Sequence, residues 1–143
     1  MGLSRSRFSE WLAQPLLDTD LKEELLEMTD SPQKIEDAFG CELQFGTGGL
    51  RGILGAGTNR MNIYMVRKAT QGLANYLNKQ GGKKSVAISY DSRIKSDVFA
   101  REAARVLAGN GVKAYLYKEL MPVPALSFAT RHLHCDAGIM VTA

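Results

Sequence analysis

The stretch Ser85-Val86-Ala87-Ile88-Ser89-Tyr90-Asp91-Ser92-Arg93 decides the fold. Val86, Ala87 and Ile88 make a short β-rich run, and the polar Asp91-Ser92-Arg93 marks the place where a strand stops. Ser96-Asp97 then opens an amphipathic helix with Val98, Phe99, Ala103, Val106 and Leu107 turned inward, which Asn110-Gly111 ends. Val112 to Tyr117 reads as the next strand. Pro122 and Pro124 punctuate a loop, and Ala125 to Leu133 reads as a short helix. Ala137 to Val141 is a near-continuous apolar run, the pattern of a buried parallel strand. Strand–helix alternation of this kind predicts an α/β domain, layered helix–sheet–helix, with a small, mostly parallel (mixed) sheet and right-handed crossovers.

Upstream of that core, Ile63, Val66, Ala69, Leu73, Tyr76 and Leu77 share one face of a helix of roughly 18 residues. Asn62 suits its N-cap and Gly81-Gly82 closes it. Residues 3–40 read as a helical N-terminal arm. Leu21, Leu25 and Met28 lie on one face, Ser31-Pro32 restarts a helix with Ile35, Ala38 and Phe39 inward, and Gly40 ends it. The domain division is therefore 1–40 for the arm and 41–143 for the α/β domain. Phe8 and Trp11 fold back on the domain rather than forming a docking patch.

Composition bounds the function. The 143 residues suffice for one compact domain. Hydrophobic residues at 45% and charged residues at 23% are ordinary globular values. The net charge of +3 is spread along the chain, with no basic run longer than two, so a small anion is a better partner than nucleic acid. Cys41 and Cys135 are far apart, without CxxC or metal-ligand spacing. They read as reduced, buried small hydrophobes in a cytoplasmic protein. Neither a signal peptide nor a membrane span is indicated. Met61, Met65, Met121 and Met140 read as core filling, and His132 and His134 as a polar helix end.

Between arm and core, Cys41 to Phe45 alternates as a short strand would, and Gly46-Thr47-Gly48-Gly49-Leu50-Arg51-Gly52 follows. With Gly55 and Gly57, this region holds six of the chain's 14 glycines. It is a loop, or two short strands around one. No Gly-Lys-Ser/Thr follows, so it is not a Walker A loop. Counting from Gly46, Arg51 stands at the third glycine position of a dinucleotide fingerprint, so that reading fails as well. Phosphate chemistry still fits. Glycines such as Gly48 let backbone N–H groups approach an anion, Thr47 adds a hydroxyl, and Arg51 adds a planar fork of donors. A glycine-rich hairpin with a surface arginine fits the residues equally well.

Phe45-Gly46-Thr47-Gly48-Gly49-Leu50-Arg51-Gly52 resembles the FGTxGxRG signature of the α-D-phosphohexomutase superfamily, and is most like its phosphoglucomutase branch. Asn59-Arg60-Met61-Asn62 and the long helix after it are similar to that branch too. Further matches follow in order. Tyr90-Asp91-Ser92-Arg93 is similar to the family's YDSR strand end. Met121-Pro122-Val123-Pro124 is similar to its TPxP turn, with Met for Thr. Ala137-Gly138-Ile139-Met140-Val141-Thr142-Ala143 is similar to the strand that enters its TASHNP loop. The matches run from about residue 40 to the end, and the arm carries little of them.

The resemblance implies an enzyme that interconverts glucose 1-phosphate and glucose 6-phosphate through a phosphoserine and a bisphosphorylated sugar. Arg51 takes the place of the family's catalytic arginine. Thr47 and Gly48 join it in binding the hexose phosphate substrate, and Asp91, Arg93 and Thr142 support the active-site loop. For Asp91 and Arg93 an Asp-Ser turn with a structural ion pair is the favoured alternative. Mg2+ and glucose 1,6-bisphosphate are the cofactors implied for the parent enzyme, with no metal ligands in this chain and neither cofactor held by it alone. The family's serine follows the Thr-Ala pair directly, so the domain is expected to be incomplete and the fragment inactive. An open sheet edge would then invite self-association. Phosphomannomutase, phosphopentomutase and glucose-1,6-bisphosphate synthase remain open, as does a non-catalytic binding or assembly module of the same fold.

Overall fold

A computed structural model describes residues 2–142; Met1 and Ala143, the last residue of the TASHNP-like match, lie outside the described residues. Contacts group the chain into two compact units, Met1–Met65 and Val66–Ala143, whereas the sequence division falls after residue 40.

The first unit contains α1 (Gly2–Leu12), α2 (Thr19–Met28) and α3 (Pro32–Phe39). Leu21, Leu25 and Met28 of α2 and Ile35, Ala38 and Phe39 of α3 are buried together with Phe8 and Ala56. Each Leu, Ile or Phe so buried contributes roughly 1.5–3 kcal/mol. The aromatic rings meet edge-on. Phe8 and Trp11 lie 5.8 and 5.6 Å from Phe39, and Trp11 lies 5.5 Å from Tyr64, each nearly perpendicular. Phe8 and Trp11 thus fold back onto the core made by their neighbouring helices. The Arg7 guanidinium donates to the Phe39 carbonyl at 3.0 Å, satisfying an end group of α3. Gly40 ends α3 as expected, but with helical φ of −64° rather than in the left-handed region. A Cβ there would stand 2.5 Å from the Glu36 carbonyl oxygen, so close approach and not φ selects glycine.

The strand expected over Cys41 to Phe45 is shorter and later. The strands are β1 (Phe45–Gly46) and β2 (Gly49–Leu50), an antiparallel pair with Phe45 opposite Leu50. Residues 41–44 are held otherwise: Leu43 N–H donates to the Thr58 carbonyl, and the Thr58 hydroxyl to the Cys41 carbonyl. Cys41 is exposed and Cys135 half-buried, which corrects the expectation that both are buried. Cys41 stands just past the end of α3, beyond the apolar stripe that packs that helix.

α4 (Ile63–Lys79) begins in the first unit and lies mostly in the second. Asn62 caps it as expected, its Oδ1 accepting the Met65 N–H at 3.1 Å. In the second unit β3 (Ser85–Tyr90), α5 (Ser96–Gly109), β4 (Lys113–Leu116), α6 (Val123–His132) and β5 (Ala137–Val141) follow. The sheet is fully parallel, ordered β4-β3-β5, with Val86 opposite both Ala114 and Ala137. Period-two alternation along β3 builds the layers. Val86 and Ile88 face Ala74 and Leu77 of α4 and Ala100, Ala103 and Leu107 of α5. Ala87 faces Leu126 and Ala129 of α6 on the other side.

One boundary differs from expectation. α6 starts at Val123, so Pro124 belongs to its first turn, where a missing N–H costs nothing. α5 opens at Ser96 as expected, preceded by Lys95 at φ 65°, a left-handed residue. Of the four methionines read as core filling, Met65 is buried and Met61, Met121 and Met140 are half-buried. His132 stacks on Phe128 at 5.2 Å at the end of α6.

Candidate functional site

The glycine-rich loop is a tight hairpin in the first unit. Thr47 and Gly48 form the turn between β1 and β2, and the positive φ falls on Gly49 at 120°. Thr47, Gly48 and Arg51 are all exposed. Among the described residues Arg51 has neither an ion pair nor a hydrogen bond, so its five guanidinium donors are open to an external anion.

The segment after this hairpin is held by contacts of its own. Gly55 N–H donates to the Met61 carbonyl at 3.2 Å, and Met61 N–H to the Ile53 carbonyl at 2.7 Å. Asn62, read from sequence only as a cap, also donates through Nδ2 to the carbonyls of Gly55 and Gly57, at 2.8 and 3.0 Å. The Ala56 N–H donates to a Glu24 carboxylate oxygen at 2.9 Å. Gly57, with φ 132°, passes so close to α3 that a Cβ would stand 2.4 Å from the Ala38 carbonyl oxygen. Arg60 pairs with Asp37, and Asn59 donates to the Asp37 carbonyl at 2.9 Å. The loop is thus anchored to the helical arm by groups at sequence separations of about twenty to thirty. Glu24 has no local sequence signal for this role; its partner is 32 residues away.

The second unit gathers Asp91, Arg93 and Thr142 at the C-terminal ends of β3 and β5. One Asp91 carboxylate oxygen, Oδ1, accepts the Arg93 N–H at 3.0 Å and the Ser96 hydroxyl at 2.9 Å. The other, Oδ2, accepts the Thr142 hydroxyl and lies 3.7 Å from Arg93 Nε. Burial alone would push the Asp91 carboxyl up. The bonds from Thr142, the Arg93 backbone and Ser96, with the Arg93 charge, outweigh it and hold the group below its ordinary value. The turn and ion pair considered for Asp91 and Arg93 are both present, and the contact to Thr142 accompanies them. Among the described residues no three His, Cys, Asp or Glu side chains converge on a metal position. Among the described residues no helix is long and apolar enough to cross a membrane.

Comparison with known proteins gives the arrangement its context. Residues 42–143 match the family model described as phosphoglucomutase/phosphomannomutase, alpha/beta/alpha domain I. The chain is 44% identical over 115 residues to a phosphoglucomutase of Staphylococcus saprophyticus, covering 80% of this chain and 21% of that protein. It is 43% identical over 108 residues to the phosphoglucomutase of Staphylococcus haemolyticus, covering 76% and 20%. A third relative, from Staphylococcus aureus, is 44% identical over 107 residues. The chain thus spans about a fifth of the length of the curated relatives it matches. No solved structure matches. With a helix–sheet–helix core matched over most of its length, the chain belongs to the phosphoglucomutase/phosphomannomutase family and carries that family's domain I.

Proposed function

We propose that this chain is the first domain of a phosphoglucomutase and that its hairpin holds a phosphoryl group of the hexose phosphate. The observation that carries the reading is Arg51: an exposed guanidinium with no partner among the described residues, placed directly after a turn built of Thr47 and Gly48. The relatives' shared name, phosphoglucomutase, favours glucose over mannose phosphates.

The reaction that the resemblance implies is two phosphoryl transfers. A phosphoserine gives its phosphoryl group to the 6-hydroxyl of glucose 1-phosphate, and the hydroxyl proton leaves. Glucose 1,6-bisphosphate forms and turns over. The phosphoryl group at the 1-position then passes to the serine, the oxygen left on C1 takes up a proton to become a hydroxyl, and glucose 6-phosphate departs. Such transfers depend on positioning and on neutralising the charge of the equatorial oxygens. A bidentate arginine supplies both, and that is the role assigned to Arg51. Thr47 and the Gly48 backbone add neutral donors. Mg2+ finds no donor set among the described residues, and no step through it is assigned to them.

The test is a domain exchange. This chain replaces the matched fifth of the Staphylococcus saprophyticus enzyme, and conversion of glucose 1-phosphate is followed. The exchanged enzyme is expected to turn over, and Arg51→Ala within it to lower kcat by about 10²–10³. A folded exchange enzyme indifferent to Arg51→Ala would overturn the assignment. The isolated chain is expected to give no conversion above a vector-only control.

A further inference from the structure

The end of β5 is held twice by one residue. The Asp91 backbone N–H donates to the Val141 carbonyl at 3.2 Å, continuing the β3–β5 ladder by one step. Its side chain then accepts the hydroxyl of the next residue, Thr142. Thr142 is exposed and lies past the last strand residue, where the ladder no longer fixes the backbone. Asp91 is itself fixed, because Arg93 N–H and Ser96 Oγ hold the other carboxylate oxygen and Ser96 is fully buried at the start of α5. Arg93 Nε lies 3.7 Å from the carboxylate, and Lys95 is the other basic group of the same segment. The residue before Ser96 is left-handed, as Lys95 at φ 65°. Non-glycine residues hold that conformation at a cost and persist in it where surrounding contacts over-determine it.

We propose that Asp91 is a positioning residue, a fixed clamp that sets the backbone at Thr142 and so the direction in which the chain leaves β5. This rests on the reading above, in which the phosphoryl-carrying serine follows the Thr142-Ala143 pair. Asp91 would not touch substrate. It would act through Thr142, placing the nucleophile's backbone before substrate arrives. A role confined to the α5 turn would require only the bonds from Arg93 and Ser96.

The experiment is an NMR pH titration of the chain itself, following the Asp91 carboxyl carbon and the order of the Thr142 amide by heteronuclear NOE. In the wild type, Asp91 is expected to titrate below the ordinary carboxylate value, and Thr142 to loosen over the same pH range as Asp91 takes up its proton. Thr142→Ser is expected to behave as wild type. Thr142→Val is expected to shift the Asp91 midpoint upward and to abolish the pH dependence at residue 142. An Asp91 midpoint indifferent to Thr142→Val, or Thr142 order indifferent to Asp91 protonation, would overturn the clamp. The wild-type titration decides the second point even if a variant fails to fold. Neither readout involves Arg51 or a sugar phosphate, so a failed clamp and a failed functional reading give different results.

Discussion

Asn62 shows how much one side chain can do in this molecule. It caps α4 through Oδ1 and latches the carbonyls of Gly55 and Gly57 through Nδ2, while buried to 3% exposure. Removing both functions leaves buried carbonyls without donors. Asn62→Ala is therefore expected to cost about 2–3 kcal/mol in denaturant unfolding. A loss below about 0.5 kcal/mol, the size of an ordinary surface change, would contradict the latch. The cap was legible in the sequence, because a polar residue before an apolar-periodic run has local meaning. The latch was not, since carbonyls five and seven residues upstream join it only after the loop folds. The same limit applies to Glu24 with Ala56 and to the exposure of Cys41. In each case the partner, or its absence, is set by tertiary packing rather than by neighbours in the chain.

At the scale of elements, α4 and α5 are joined by a charged cluster. Glu102 is 12% exposed in its side chain and accepts Arg67 Nε at 2.7 Å and Arg105 Nη1 at 3.0 Å. Burial alone would push its carboxyl up; the two guanidinium groups outweigh that and hold it below its ordinary value of 4.5. A carboxyl whose folded pKa is depressed contributes stability above its unfolded pKa. That contribution is lost as pH falls through the folded value. Glu102→Gln is accordingly expected to cost about 1–3 kcal/mol at pH 7 and progressively less below pH 4.5, in melts compared across pH. A deficit that stayed constant down to pH 3 would contradict the pairing. β3, β5 and the start of α5 agree with the sequence because their residues alternate, or recur, with a clean period bounded by turn residues. Over residues 41–44 the alternation is present, but the backbone bonds go to the Thr58 segment instead of a strand. For α6, two prolines read as a loop turned out to lie at a helix start.

Over the whole molecule, each unit has its own buried apolar cluster. The sheet's outer strands among the described residues are β4 and β5, each paired on one side only. An unpaired edge beside an apolar strand invites pairing with a second copy. Light scattering at high concentration is therefore expected to show dimers, and a monomer at every concentration would contradict this. The layered α/β class was readable because it depends only on the order and period of the segments. The phosphate-holding role of Thr47, Gly48 and Arg51 was not readable from chemistry alone, since a glycine-rich hairpin with a surface arginine is also what the structure contains. Whether that arginine serves a ligand is the central claim, and isothermal titration with glucose 1,6-bisphosphate addresses it most directly. The enzyme carrying this chain in place of its own first domain is expected to bind it, and Arg51→Ala within that enzyme to bind at least about tenfold more weakly, the value of one charged hydrogen-bonding group. Equal heats from the two proteins would remove Arg51 from the site and contradict the account.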